Sequence, residues 1–82
     1  MTTSPTLRIT IKCFASLAEF QPADAEAFPV SEGATVGSVI DGLAIPRDQA
    51  HLVFVNNTVL RNLDTKLKDG DVVGVFPPIG GG

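Results

Sequence analysis

The first regular pattern in the chain is LRITIKCF, residues 7–14, in which apolar and polar positions alternate. A period of two places successive side chains on opposite faces of a β-strand, so one face is apolar and the other is polar. This alternation predicts a half-buried strand, with Cys13 as a small core residue on its apolar face. The next segment, ASLAEF at residues 15–20, is expected to form a single helical turn.

A second strand and a helix are predicted next. AEAFPV, residues 25–30, can form a strand, and Pro29 indicates an edge position because proline cannot donate to the strand ladder. Thr35 is a suitable N-cap for VGSVIDGL, residues 36–43, whose apolar residues recur at helical spacing on one stripe. These features predict a short helix held in place by packing, which Pro46 prevents from continuing.

The C-terminal half contains three further predicted strands, separated by turn signals. HLVFV, residues 51–55, is apolar on both faces, which predicts a central strand covered on both sides. The Asn56–Asn57 pair tolerates positive φ and predicts a tight turn into the short strand TVL. LKDGD, residues 67–71, predicts a second turn, and VVGVF, residues 72–76, predicts the last strand.

The predicted order is strand, strand, helix, strand, short strand, strand, which makes a two-layer α+β domain with one main helix packed across the sheet. Because a helix separates the second and third strands, we expect a mixed sheet of four to five strands. This is the element order of the β-grasp, or ubiquitin-like, fold. The expected organisation is a flexible leader at residues 1–6, the β-grasp domain at residues 7–76 and an extended tail at residues 77–82.

Composition narrows the class of protein. A chain of 82 residues with one cysteine supports a single domain without an internal disulfide, and it suits a reducing cytoplasm. Nine acidic and six basic residues give a net charge of −3, which argues against a nucleic-acid partner. Neither a signal peptide nor an apolar run near the roughly 20 residues of a membrane span is visible. His51 is the only histidine, which argues against a metal site.

The chain ends in VFPPIGGG, residues 75–82. Pro77 and Pro78 favour an extended, semi-rigid segment, and the glycines that follow lack side chains that would block a narrow channel. The reactive group at the tip is the α-carboxylate of Gly82, which becomes an electrophile once it is joined to the phosphate of an adenylate. This arrangement favours a group carrier over an enzyme. The alternative is a terminus in which glycine is merely tolerated.

LKDGDVVGVFPPIGGG, residues 67–82, resembles the C-terminal signature of the MoaD/ThiS sulfur carriers. FASLAE, TVGSVIDGL and VFVN resemble segments of that family in the same order, so that the resemblance covers residues 7–82. It implies that an E1-like enzyme adenylates Gly82, which then becomes a thiocarboxylate that donates sulfur. The FPP at residues 76–78 is more similar to the molybdopterin synthase small subunit than to the thiamin carrier. Gly80 is a departure, because the family usually has alanine, serine or threonine there.

The resemblance also implies site residues and partners. The glycines of the tail insert into the active site of a partner, and hydrophobic residues near the tail dock the activating enzyme. The tail residues are Gly80, Gly81 and Gly82, and the docking residues are Phe76, Val59, Pro77 and Pro78. The expected partners are an E1-like adenylyltransferase, which uses ATP, and a sulfur-accepting synthase such as the large subunit of molybdopterin synthase. The domain itself is expected to bind no cofactor or metal and to have no catalytic residue.

Strand alternation gives an independent argument for Phe76. If Val73 and Val75 face inward, Val72 and Phe76 face outward, whereas the opposite phase would bury Phe76 in the core. Gly74 interrupts this strand, and it marks a bulge, a close approach of another backbone or packing against the helix.

Three functional alternatives remain open at the level of sequence. One is a sulfur carrier for thiamin or another sulfur-containing metabolite. Another is a ubiquitin-like modifier that is joined through Gly82 to lysines of other proteins. The third is a non-covalent interaction module whose tail is unused.

Overall fold

The computed structural model describes residues 6–78. These residues form five strands, one α-helix and three short 3-10 helices. The strands are β1 (Thr6–Cys13), β2 (Phe28–Ser31), β3 (Leu52–Val55), β4 (Thr58–Leu60) and β5 (Val72–Phe76). The α-helix, α1, spans Val36–Gly42, and the 3-10 helices span Ala15–Phe20, Ala25–Ala27 and Arg47–Gln49. The leader was predicted at residues 1–6, but Thr6 is the first residue of β1, so that part of the prediction is wrong. The rest of the leader and the predicted tail residues Gly80, Gly81 and Gly82 lie outside the described residues.

The strands form one mixed sheet in the order β2-β1-β5-β3-β4. β1 and β5 are parallel, and the other neighbouring pairs are antiparallel. The predicted α+β fold with a mixed sheet and one main helix is therefore confirmed, as is the edge position of the strand that contains Pro29. β2 is shorter than predicted, because residues 25–27 form a 3-10 turn that places Ala25 in the core.

The prediction that residues 51–55 form a central strand covered on both faces is wrong. β5 occupies the centre of the sheet, and β3 lies between β5 and the edge strand β4. Val53 is buried in the core, whereas Leu52 and Phe54 are only half-buried on the opposite face. β3 is apolar on both faces because Phe54 packs beside another aromatic ring, with its ring centroid 5.5 Å from that of Phe76.

The helix begins as the sequence predicted. The Thr35 Oγ1 atom accepts a hydrogen bond from the Ser38 backbone N–H at 3.1 Å, and the Thr35 N–H donates to the Ser38 hydroxyl at 3.0 Å. This reciprocal pair satisfies two donors that would otherwise be free at the helix start. The inward stripe of α1 packs on one face of the sheet, and the core contains Ile9, Ile11, Leu17, Val36, Val39, Ile40, Val53, Val73 and Val75.

The glycine at position 37 allows the loop after β4 to approach the helix closely. The Gly37 N–H donates to the Leu63 carbonyl at 2.8 Å, and a Cβ atom at position 37 would lie 3.2 Å from that oxygen. A helix-interior glycine lowers helix stability by about 1 kcal/mol relative to alanine. The close backbone contact explains why glycine is present here.

Two turns fix the position of the last strand. Asn56 and Asn57 have φ values of 53° and 69°, which confirms the tight turn between β3 and β4. The Asn56 side chain donates to the Asp71 carboxylate and accepts from the Val72 N–H, each at 2.9 Å. The Asp69 carboxylate accepts from the Arg8 backbone N–H at 2.8 Å. These bonds tie the start of β5 to both of its neighbouring strands.

Candidate functional site

The two faces of β5 have different environments. Val73 and Val75 are buried beneath the helix, whereas Val72 and Phe76 are half-buried on the opposite face of the sheet, called the open face below. The alternation that predicted an outward Phe76 is confirmed, and the alternative of a Phe76 in the helix-covered core is wrong.

Three aromatic rings cluster on the open face. The Phe14 and Phe76 rings are stacked, with their centroids 4.2 Å apart and an angle of 3° between their planes. The Phe54 ring is tilted by 58° against Phe76 on its other side. Aromatic pairs in such contacts contribute about 0.5 to 1.5 kcal/mol beyond the area they bury. Phe76 is therefore the central ring of the cluster, and Phe14 and Phe54 hold it in place.

Gly74 provides the space for this cluster. It pairs in regular register with Lys12 on one side and Phe54 on the other. A Cβ atom at position 74 would lie 3.4 Å from the Phe14 Cε2 atom and 3.9 Å from the Phe54 Cβ atom. The hypotheses of a bulge and of packing against the helix are wrong, because Gly74 is regularly paired and its missing side chain would point to the open face. The Phe14 ring occupies the room that glycine leaves.

The predicted docking residues Phe76 and Val59 lie on the same face. Val59 pairs with Phe54, so its side chain lies beside the aromatic cluster, and 48% of its surface is exposed. Phe14, with 37% exposed, is the other large hydrophobic residue classed as exposed among residues 6–78. Exposed apolar residues that adjoin a packed aromatic cluster are typical of an interaction surface. We call Phe14, Phe54, Val59 and Phe76 the aromatic patch.

The tail leaves the sheet next to the aromatic patch. The His51 N–H donates to the Phe76 carbonyl at 3.0 Å, and the Phe14 N–H donates to the Val75 carbonyl at 3.1 Å. These bonds hold the end of β5 on both sides. Pro77 is buried and Pro78 is exposed. A docking role for the two prolines stays a prediction, as do the roles of the glycines beyond the described residues.

Sequence reasoning missed Phe14 and Phe54 as members of the patch. A signal for Phe14 was present, because the alternation that places Lys12 on the outer face of β1 also places Phe14 there. In β3 the same alternation places Phe54 on the face opposite Val53, but because both faces are apolar the pattern predicts a second covering layer and not an exposed patch.

The remaining chemistry of the described residues is sparse. Burial raises the pKa of the Cys13 thiol, which fits its predicted place in the core. Within residues 6–78 there is no group of three or more His, Cys, Asp or Glu side chains that could hold a metal ion. No helix in the same range is both long and apolar enough to span a lipid bilayer.

A mixed five-stranded sheet crossed by one helix, with an aromatic patch where the last strand ends, defines a ubiquitin-like β-grasp domain. The chain belongs to the ThiS family, whose sequence model matches residues 11–82. No curated protein sequence matches the chain.

Solved structures share the fold over nearly the whole chain. The HVO 2177 protein of Haloferax volcanii is 33% identical with a TM-score of 0.71, and the match covers 94% of this chain and 88% of that one. A Pyrococcus furiosus protein described as subunit 1 of a molybdopterin converting factor is 29% identical with a TM-score of 0.68, covering 89% and 99%. The small archaeal modifier protein 1 of Methanosarcina acetivorans is 25% identical with a TM-score of 0.64, covering 95% and 99%.

Proposed function

We propose that this protein is a sulfur carrier whose C-terminal Gly82 is activated by an E1-like enzyme and converted to a thiocarboxylate. The observation that carries the proposal is the aromatic patch at the end of β5, beside the point where the chain continues into its glycine tail. A partner that binds this patch receives the tail in a defined direction. The domain then supplies the reactive Gly82 carboxylate and a docking surface, and the partner supplies the catalytic groups.

The proposed chemistry has two steps. The Gly82 carboxylate attacks the α-phosphate of ATP, which forms an acyl-adenylate and releases pyrophosphate. Hydrosulfide then attacks the acyl carbon, a C–S bond forms, the C–O bond to AMP breaks, and AMP leaves with the electron pair while the hydrosulfide proton passes to solvent. Neither step changes the oxidation state of carbon or sulfur, so neither requires an oxidant or a reductant. The partner binds ATP in the first step and the acyl-adenylate in the second.

We favour molybdopterin biosynthesis as the destination of the sulfur. The similarity to the Pyrococcus furiosus protein supports this pathway, together with the FPP sequence at residues 76–78. The large subunit of a molybdopterin synthase would then be the acceptor. The match to the ThiS family supports a thiamin-type carrier as the alternative.

A second candidate function is a protein modifier, which the similarity to the small archaeal modifier protein 1 favours. The activation step would be the same. In place of hydrosulfide, a lysine amine would attack the activated Gly82 carbonyl and form an amide bond with the release of AMP or of an enzyme thiol. The two functions therefore differ only in the nucleophile.

Intact-mass measurement tests the proposal. The purified chain is incubated with the E1-like enzyme of the same organism, ATP and sulfide, and we expect a mass increase equal to the replacement of one oxygen by sulfur. Gly82→Ala is expected to abolish the product with no change in melting temperature, because residue 82 lies beyond the last strand of the fold. A product that consists only of unchanged carboxylate, with glycine remnants on lysines of cellular proteins, would support the modifier function instead.

A further inference from the structure

Acidic and basic residues are distributed differently over this fold. All nine Asp and Glu residues lie outside the five strands. The only charged residues within the strands are Arg8 and Lys12, and both are exposed on the open-face side of β1. A protein with a net charge of −3 therefore has an open face on which the strands carry positive charge alone.

Two basic residues flank the aromatic patch. Lys12 pairs with Gly74 and lines a hollow with Phe14, Phe54 and Phe76. Arg61 follows the end of β4 on the other side and lines a groove at the strand ends, whose walls include Leu52 and Val59 of the open face as well as residues of the core. Because neighbouring strands are about 4.8 Å apart, the backbones of β1 and β4 are separated by about 14 Å across β5 and β3. An apolar surface of about this width therefore separates the two cations.

Among the described residues, neither of these cations forms an ion pair or a side-chain hydrogen bond. The only ion pair among residues 6–78 joins Arg47 to Asp41 at 2.8 Å, on the helical layer. The Lys12 and Arg61 side chains form no hydrogen bond to another residue in this range, whereas the Arg8 guanidinium donates to the Ala27 carbonyl at 3.4 Å. Lys12 and Arg61 are exposed, so they would lie at the rim of an interface that covers the aromatic patch. Charges across an interface are arranged to be complementary, because opposite charges speed association and like charges oppose it. A protein that covers the aromatic patch is therefore expected to carry anionic groups beside it.

From this arrangement we propose that the E1-like enzyme contacts the aromatic patch with an apolar surface bordered by carboxylates, which face Lys12 and Arg61. The inference rests on the proposed function, and it specifies the chemistry of the partner surface. The apolar centre between the cations favours a protein over a nucleic acid, which would require continuous positive charge. Charge pairs at the rim of such an interface mainly increase the association rate and its salt dependence.

Pyrophosphate exchange with the E1-like enzyme tests the inference, because it reports adenylation of the chain before any sulfur transfer. We expect Lys12→Glu and Arg61→Glu each to raise the KM for the carrier by about tenfold at low salt, with kcat nearly unchanged. The ratio of each variant's KM to the wild-type KM should approach one in about 1 M salt, where the Debye length is only about 3 Å. Lys12→Gln should show a smaller rise, because it removes the attraction without adding repulsion.

Lys66→Glu is the matched control. It makes the same change in net charge at an exposed lysine, which lies opposite Thr35 at the helix N-cap and away from the patch. We expect its KM to stay within about twofold of wild type. Equal KM values for Lys12→Glu and Lys66→Glu would overturn the inference, while exchange with the wild-type chain would still support the activation step of the proposed function. Absence of exchange with the wild-type chain would overturn both.

Discussion

Both faces of this sheet are apolar, but they are built from different residues. The face beneath α1 is composed of branched aliphatic side chains, which are almost completely shielded from solvent. The open face is composed of three phenylalanines, a glycine and exposed Val59, and it is bordered by cations. Branched aliphatic chains fill a core at low cost in side-chain entropy, whereas rigid aromatic rings provide large contact areas for a partner. Apolar character alone therefore does not distinguish a covered core from an exposed patch.

The largest expected effect contrasts two valines on opposite faces. Val73 is 0% exposed at the centre of the sheet, whereas Val59 is 48% exposed beside the aromatic patch. Val73→Ala should lower the free energy of unfolding by about 2 kcal/mol, because it leaves a cavity in the core. Val59→Ala should change it by less than about 0.5 kcal/mol. Urea denaturation measures both values.

The effect of the same two substitutions on the KM for the carrier, measured by pyrophosphate exchange, should have the reverse order. At temperatures where both are folded, Val59→Ala should raise the KM for the carrier, and Val73→Ala should leave it unchanged. Equal losses of stability in Val59→Ala and Val73→Ala would show that the open face is also part of the core, which would contradict the proposed difference between the two faces.

A smaller effect on stability is expected for Gly74→Val. Valine has a higher strand propensity than glycine, but its side chain would displace the Phe14 ring that lies over position 74. Because these two effects oppose each other, the free energy of unfolding should change by less than about 1 kcal/mol. Docking should weaken, since the stack of Phe14 on Phe76 is lost. Thermal denaturation and pyrophosphate exchange measure the two effects, and an unchanged KM would argue against Phe14 as part of the docking surface.

The smallest effect is expected at the ion pair on the helical layer. The hydrogen bond from Arg47 lowers the pKa of the Asp41 carboxyl, but both side chains are more than half exposed. Because the folded-state pKa lies below the unfolded-state value, any stabilisation is present at neutral pH and is lost as the pH falls through the folded-state pKa. Asp41→Asn should therefore melt slightly below wild type at neutral pH and together with it in strong acid. A melting difference that grows towards acid would contradict this assignment.

Much of the fold could be predicted because its signals are local. Thr35 caps the helix through contacts within one turn, and the Asn56–Asn57 turn requires only positive φ at two adjacent residues. The alternation in β5 correctly placed Phe76 outward, because that strand is regular from its first residue to its last.

Strand order and the aromatic patch could not be read in the same way. The position of β5 between β1 and β3 depends on contacts between residues far apart in the chain. The apolar outer face of β3 predicts a second layer, because a strand whose second face is apolar but exposed has the same pattern as one covered on both sides. The role of Gly74 depends on the Phe14 ring across the neighbouring strand, which no local pattern reveals.

The central position of β5 has a consequence for biosynthesis. This strand joins the ribbon of β1 and β2 to the ribbon of β3 and β4. Two-stranded ribbons are at best marginally stable in water when they stand alone. A nascent polypeptide therefore cannot complete its sheet until residues 72–76 have left the ribosome, and a prematurely terminated product would remain unfolded and open to proteolysis.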